Sequence, residues 1–281
     1  MLRRDLAGLA LAAAFALTGA SLAHAADAQL AAAVASPLRS ADNVARDKAR
    51  HPAESLTFWG LRPKETVIEI TPGGGYWAEI LAPYAKATGG TYVAAVSDLD
   101  NPKLSEGARK GRAAFEAKYG DAAKYGPIRY VGFGPVSPPL GPPASADLVL
   151  TARNIHNWTV QPGVAEKAFA DFFAVLKPGG VLAVEEHRAD PRAEAPGGSD
   201  GYLATATVVA LAEKAGFKLD AKSEVNANPK DTKDHPFGVW TLPPTRLSSK
   251  DGQPVDPAFD RAKYDAIGES DRMTLRFRKP S

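Results

Sequence analysis

Val67-Ile68-Glu69-Ile70-Thr71-Pro72-Gly73-Gly74-Gly75-Tyr76-Trp77 is the stretch that decides how this chain folds. Its first half, with Thr66, is β-branched and nearly continuous in apolar character, as expected of a strand buried on both faces. Three glycines follow, and residues 77–86 carry helical spacing. Strand, glycine turn and helix in that order make the front of a βα unit. Glycines let backbone approach a ligand closely, and the first turn of the helix offers free N–H groups. Gly73, Gly74 and Gly75 therefore read either as a cofactor cradle or as a tight turn that needs glycine only for its geometry.

Outward from this unit, strand and helix signals alternate. Strands are predicted at 91–96, 128–131, 147–151, 181–185, 217–225 and 272–277, and helices at 102–119, 162–176 and 203–215. In the second of these helices Phe169, Phe172, Phe173 and Leu176 recur at helical spacing. Parallel strands need crossover helices, so the alternation predicts one doubly wound α/β domain. Its expected form is a mostly parallel, seven-stranded sheet with helices on both faces. Residues 132–144 hold five prolines and three glycines and predict a stiff loop over a sheet edge. Residues 226–270 have few periodic signals and read as a long excursion before the final strand. A short helix opens at His51-Pro52, where proline's missing N–H costs nothing, and ends at Gly60. The domain so defined runs over 46–281. Residues 26–45 are expected to be a polar, Ala-rich lead, loose or lying over the surface.

The 281 residues are 44% hydrophobic and 23% charged, with no cysteine and a formal charge of +2. Disorder, collagen and disulfide-stapled miniproteins are excluded on those grounds. The near balance of charge gives no electrostatic reason to expect nucleic acid. Arg3 and Arg4, the apolar run over 6–17 and Ala23-His24-Ala25 together form a secretory signal peptide, residues 1–25. Export to the periplasm after cleavage near Ala25 is the expectation; the paired arginines keep a twin-arginine route in view. A chain without cysteine is compatible with an oxidising compartment. No later segment is apolar for long enough to span a bilayer.

The glycine turn and its neighbours resemble motif I of class I S-adenosylmethionine-dependent methyltransferases, which runs acidic-x-Gly-x-Gly-x-Gly after the first strand. Glu69 takes the acidic place, Gly73 and Gly75 the second and third glycines, and Thr71 stands where the first would be. Ala146-Asp147-Leu148-Val149-Leu150 resembles the family's strand that ends beside the methyl group, and Leu176-Lys177-Pro178-Gly179-Gly180-Val181-Leu182 its turn into strand five. The resemblance implies a class I methyltransferase-like Rossmann fold and S-adenosylmethionine as cofactor. It places Glu69, Thr71, Gly73, Gly74 and Gly75 around that cofactor. Asp98, with Asp100 as understudy, falls where the family holds the ribose hydroxyls; an acid about 20 residues past a glycine turn suits a diol. The family's acid after the third strand is missing, and Phe133-Gly134-Pro135 stands there instead. Taken with the leader, the segments 47–54 and 153–158 resemble a bacterial group of predicted secreted methyltransferases. The turn also satisfies the dinucleotide pattern G-x-G-x-x-G/A, but Pro72 and the Lys-Pro-Gly-Gly turn favour the methyltransferase reading.

Candidate chemistry follows strands four and five, whose carboxyl ends should border the ligand crevice. His156 could take a proton from a substrate oxygen or nitrogen, since imidazole titrates near neutrality; a histidine bonded to a loop carbonyl is the plainer alternative. Asn157 and Trp158 would meet substrate, or Trp158 would plug the loop. Glu185 and His187 share a strand face by alternation and are the second pair of candidates, against an inward ion pair. His235, in the late excursion, is a candidate substrate contact on a lid. The spacing of His156, His187 and His235 matches no metal-ligand motif, so no metal is expected. The function expected is methyl transfer to a small acceptor by in-line displacement, with the protein aligning donor and nucleophile. The alternative is a non-catalytic binding module on the same fold. Fold does not fix function, and the cofactor is made on the cytoplasmic side of the membrane that the leader crosses.

Overall fold

The computed structural model describes residues 28–250 and 252–281, so the leader and its cleavage site lie outside the described residues. The chain enters through a helical turn over 28–34, then α1 (Ala41–Val44), α2 (Asp47–Arg50) and α3 (Pro52–Trp59). α3 has Pro52 at its first turn and closes on Gly60 in the left-handed region, where a residue without Cβ is unstrained. The decisive stretch folds as β1 (Thr66–Ile70), a turn, and α4 (Ala78–Thr88). β2 (Thr91–Ser97), α5 (Glu106–Tyr119), α6 (Ala122–Tyr125), β3 (Arg129–Phe133) and β4 (Ala146–Ala152) follow. Then come α7 (Ile155–Thr159), α8 (Val164–Val175), β5 (Leu176–His187), α9 (Thr205–Lys214) and β6 (Lys218–Ser223). The excursion holds β7 (Pro236–Val239) and α10 (Arg261–Ile267), and β8 (Arg272–Arg278) ends it.

Among the described residues seven strands form one sheet in the order β3-β2-β1-β4-β5-β8-β6. β1 pairs in parallel with β2 and with β4, as do β2 with β3 and β4 with β5. β8 runs antiparallel between β5 and β6, so the sheet is mixed: parallel over five strands and antiparallel where the last strand is inserted. Ile68, Ile70, Val149, Leu182 and Val184 face α8 and α9, packed on Phe169 and Phe172. Val67, Leu148, Leu150 and Ala183 face α3 and α4, packed on Leu56, Trp59, Trp77 and Ile80. Each central strand thus buries both faces, the physical reason its sequence shows no polar alternation.

Residues 28–45 lie over the domain: Leu30 and Ala33 are buried, and Arg39 forms a bidentate pair with Asp47 at 2.6 and 2.7 Å. Ser40 donates both its N–H and its hydroxyl to the buried Glu79 carboxylate of α4. The short polar side chains that look like surface in sequence are here partners for buried charges.

Candidate active site at the carboxyl ends of the strands

The strand order reverses between β1 and β4, the position where open α/β sheets leave a crevice for ligands. Thr71, directly after β1, adopts φ +50°. A β-branched residue in the left-handed region is a real outlier, and here it holds the backbone shape that glycine has freely. Its N–H is fixed on the Ala95 carbonyl at 2.8 Å. The substitution of threonine for the first glycine therefore keeps the turn and adds a side chain. That side chain stands between two hollows. One, of about 160 Å³, is lined by Thr71, Phe133, Gly134, Pro135 and Trp158; the other, of about 170 Å³, by Glu69, Thr71, Gly73, Gly74, Arg153 and Asn154.

The other glycines divide by cause. A Cβ on Gly75 would lie 1.9 Å from the Tyr119 hydroxyl, so this glycine is required by packing against α5. Gly74 has no atom within 4 Å of a would-be Cβ and no left-handed φ. The fold gives it no reason to be glycine, and its open side faces the hollows. Glu69 is buried and accepts the Tyr92 hydroxyl at 2.6 Å. Burial pushes its carboxyl up to about 7, against the smaller opposing effects of that hydrogen bond and of Arg153. Asp98 is buried at the end of β2, with Gly132 leaving room for its carboxylate: a Cβ there would lie 2.9 Å from Oδ1. Asp100 is exposed, and it is its backbone N–H that meets Asp98, at 3.2 Å.

A third chamber, of about 310 Å³, opens beside these and shares Arg46, Arg50, Gly74 and Arg153 with the second. His156, Asn157 and His187 line it, as do Trp240, Pro243 and Ser270. Nδ1 of His156 lies 2.9 Å from Oε1 of Glu186. A carboxylate oxygen accepts, so Nδ1 carries the proton of this contact and Nε2 is the ring nitrogen turned to other partners. His187 places Nδ1 2.5 Å from the Ser270 hydroxyl and its ring 5.3 Å from that of His156. Burial, then the charges of His156, Arg153 and Arg272, hold His187 well below the usual histidine range, so it is neutral at pH 7.

Strands four and five thus bring His156 and His187 together as expected, but through a different acid. Glu186 orients His156, while Glu185 lies in an ionic contact 2.9 Å from Arg272 and 3.5 Å from Arg153. The cause is α7. It begins over Glu186, whose carboxylate also accepts the N–H groups of Ile155 at 2.6 Å and His156 at 3.4 Å. Trp158 is buried against Phe133 and Phe172 and walls the first hollow from its apolar side. His235 is corrected: it is bonded to Asp231 at 2.8 Å behind Tyr202, and the excursion reaches the chamber through Trp240 and Pro243 instead. The metal-like trio is therefore broken up. His156, Glu186 and His187 do lie close together, with one ligand atom each within 4.8 Å. Glu186, however, has both oxygens engaged by N–H donors. Sequence reasoning did not single out Arg46, Glu269 or Arg272, which close the floor of the site from both ends of the chain. Their signal is weak, because arginine and glutamate outside a motif read as solvated surface.

No family model matches the chain, and no curated protein does. Solved structures do. The cyclase SpnF, a [4+2]-cyclase, superposes with a TM-score of 0.52 at 16% identity, over 82% of this chain and 82% of its own. A SAM-dependent methyltransferase from Aquifex aeolicus aligns at 20% identity over 65% of this chain and 87% of its own, with a TM-score of 0.48. One from Methanosarcina mazei aligns at 13% identity over 80% and 97%, also with a TM-score of 0.48. At 16% identity what this chain shares with SpnF is the architecture: a Rossmann-like sheet with helices on both faces.

Proposed function

We propose that the protein binds S-adenosylmethionine and transfers its methyl group to a small acceptor, outside the cytoplasm. The observation that carries this reading is the pair of hollows meeting at Thr71 where the strand order reverses, over a Gly74 that packing does not require. The residues fit the cofactor. Glu69 and the Gly73-Gly74 backbone would hold its amino-acid end, and Asp98 its ribose hydroxyls. The apolar hollow between Phe133 and Trp158 offers a flat-sided place for a base, although no acid follows the third strand. When bound, the cofactor supplies an electrophilic methyl group on a sulfonium.

The chain's own residues then have two tasks. Gly74 and Arg153 line both the second hollow and the third chamber and set the approach of one ligand to the other, the alignment that most of such a rate acceleration rests on. His156 and His187 both line that chamber, and the burial and positive charges that keep His187 neutral also oppose its taking a proton. His156, positioned by Glu186, is therefore the candidate for the base. The name of the SpnF neighbour is that of a cyclase, so the architecture alone does not choose between methyl transfer and another use of the same pocket. Calorimetry on the mature protein decides it. S-adenosylmethionine and S-adenosylhomocysteine should bind with micromolar affinity and Asp98→Asn should weaken both; no heat from folded protein refutes the assignment. Export rests on the leader, Arg3 to Ala25. It is tested by sequencing the N-terminus of the protein recovered outside the cytoplasm, which should begin near Ala26.

A further inference from the structure

The guanidinium groups of the site outnumber the acids that face them. Glu269 serves three arginines: Oε1 accepts from Arg46 at 2.8 Å, and Oε2 from Arg50 and Arg272 at 2.9 Å each. Glu185 faces Arg272 and Arg153. Nη1 and Nη2 of Arg50 are buried with no hydrogen-bond acceptor; Nη1 of Arg153 is unpaired too, but it lies 3.5 Å from Glu185, whose own oxygens are unpaired, so Arg50 carries the clearer deficit. Arg50 is wholly buried, lies 4.5 Å over the Tyr76 ring, and borders both the cofactor hollow and the third chamber. Buried donors left unpaired are costly, and a bound acceptor removes that cost. In the wide groove between α9, β6 and β8, by contrast, the buried and half-buried cations are paired, Arg188 with Asp271 and Glu224 and Lys233 with Asp271.

The wall opposite the arginines is apolar, made by Val239, Trp240, Pro243 and Pro244. A cation is disfavoured here, since Glu186 is fully engaged and three arginines surround the two histidines. At about 310 Å³ the chamber sits at the small end of ordinary ligand pockets. We infer that it takes a small carboxylic acid, its anion on Arg46, Arg50 and Arg153 and its apolar body against Trp240 and Pro243, and that this class supplies the methyl acceptor. The last step rests on the methyl-transfer reading; the anion site does not.

Benzoate and its neutral isostere benzamide are the probes, measured by ligand-observed NMR on the mature protein with and without saturating S-adenosylhomocysteine. Benzoate should bind in both conditions, at least about tenfold more tightly than benzamide, because hydrogen bonds to a charged partner are the strong ones. Arg46→Gln and Arg153→Gln should each weaken benzoate about 10- to 100-fold and leave benzamide unchanged. Competition between benzoate and S-adenosylhomocysteine would assign the arginines to the cofactor's own carboxylate and overturn the inference. Equal binding of benzoate and benzamide, or binding of neither, overturns it too, and this comparison needs only the unmutated protein. Benzoate bound to a protein that ignores S-adenosylhomocysteine would keep the acid chamber and remove the methyl-transfer reading.

Discussion

Glu69→Gln should make the protein more stable at high pH and no more stable at low pH. The carboxyl of Glu69 is raised from 4.5 to about 7 by burial, so the folded state prefers it neutral while the unfolded chain ionises it at its ordinary value. An acid raised in this way contributes stability below about pH 4.5 that is lost as pH climbs to about 7. Each pH unit between those two values is worth about 1.4 kcal/mol, so the full loss is about 3 kcal/mol above pH 7. Glutamine cannot ionise, and its amide oxygen can still accept the Tyr92 hydroxyl that now lies 2.6 Å from Glu69. The variant should therefore gain up to about 3 kcal/mol over the unmutated protein at pH 8.5 and nothing at pH 4.5. Urea melts of both proteins at several pH values measure the difference directly, and other titrating groups cancel in it. A difference that does not change with pH, or a variant less stable at pH 8.5, would refute the argument. The same substitution should weaken binding of S-adenosylhomocysteine, which would explain why an uncomfortable charge is kept: stability is given up where a ligand uses the strain.

Gly75→Ala should cost about 2–5 kcal/mol, since its Cβ would run into the Tyr119 ring at a left-handed φ. Gly74→Ala should change stability by less than about 1 kcal/mol and yet weaken the cofactor's affinity; denaturant melts and calorimetry separate the two glycines. Thr71→Gly should relieve about 1–3 kcal/mol of backbone strain, partly offset by the freedom of glycine in the unfolded chain, so its melt should match or exceed that of the unmutated protein. Arg39→Ala should lower stability by about 1.5–3 kcal/mol in a denaturant melt, because it removes a bidentate partner from Asp47, which is partly exposed and keeps the Tyr76 hydroxyl.

The architecture is legible in the sequence because it is written in apolar surface. Residues 66–71, 91–96 and 147–151 are nearly continuous runs of apolar and β-branched residues, broken only by Glu69 and Asp147, and each contributes a strand of the sheet's buried centre. The place of β8 between β5 and β6 is not visible locally: Arg272–Arg278 alternates like any strand, and only pairing over a long separation puts it there. The site is legible in part. Thr71, Gly74, Asn157, His156 and His187 line the hollows, because positions following consecutive parallel strands must meet at one edge of the sheet, while Asp98 is buried at the end of β2 and lines none of them. Sequence places Glu185 with His187, with an inward ion pair as the alternative, and does not reveal Glu186 beneath His156, because strand alternation says which face a side chain takes, and not that a short helix will begin above one of those faces. His235 misleads for a related reason: Asp231, four residues away, satisfies it at 2.8 Å inside its own loop. The arginine floor could not be read, since what makes it unusual is an imbalance among residues far apart in the chain.

That floor joins Arg46 and Arg50 near one end of the described chain to Glu269 and Arg272 near the other. Ring closure across more than 200 residues is among the slowest contacts a chain can make, and a core of nearly local βα units can form well before it. Until the two ends meet, Arg50 has no acid beside it and the third chamber stays open beneath. Anion capture in that chamber thus requires both segments to be docked at once, so probe binding would report the docking of the two together.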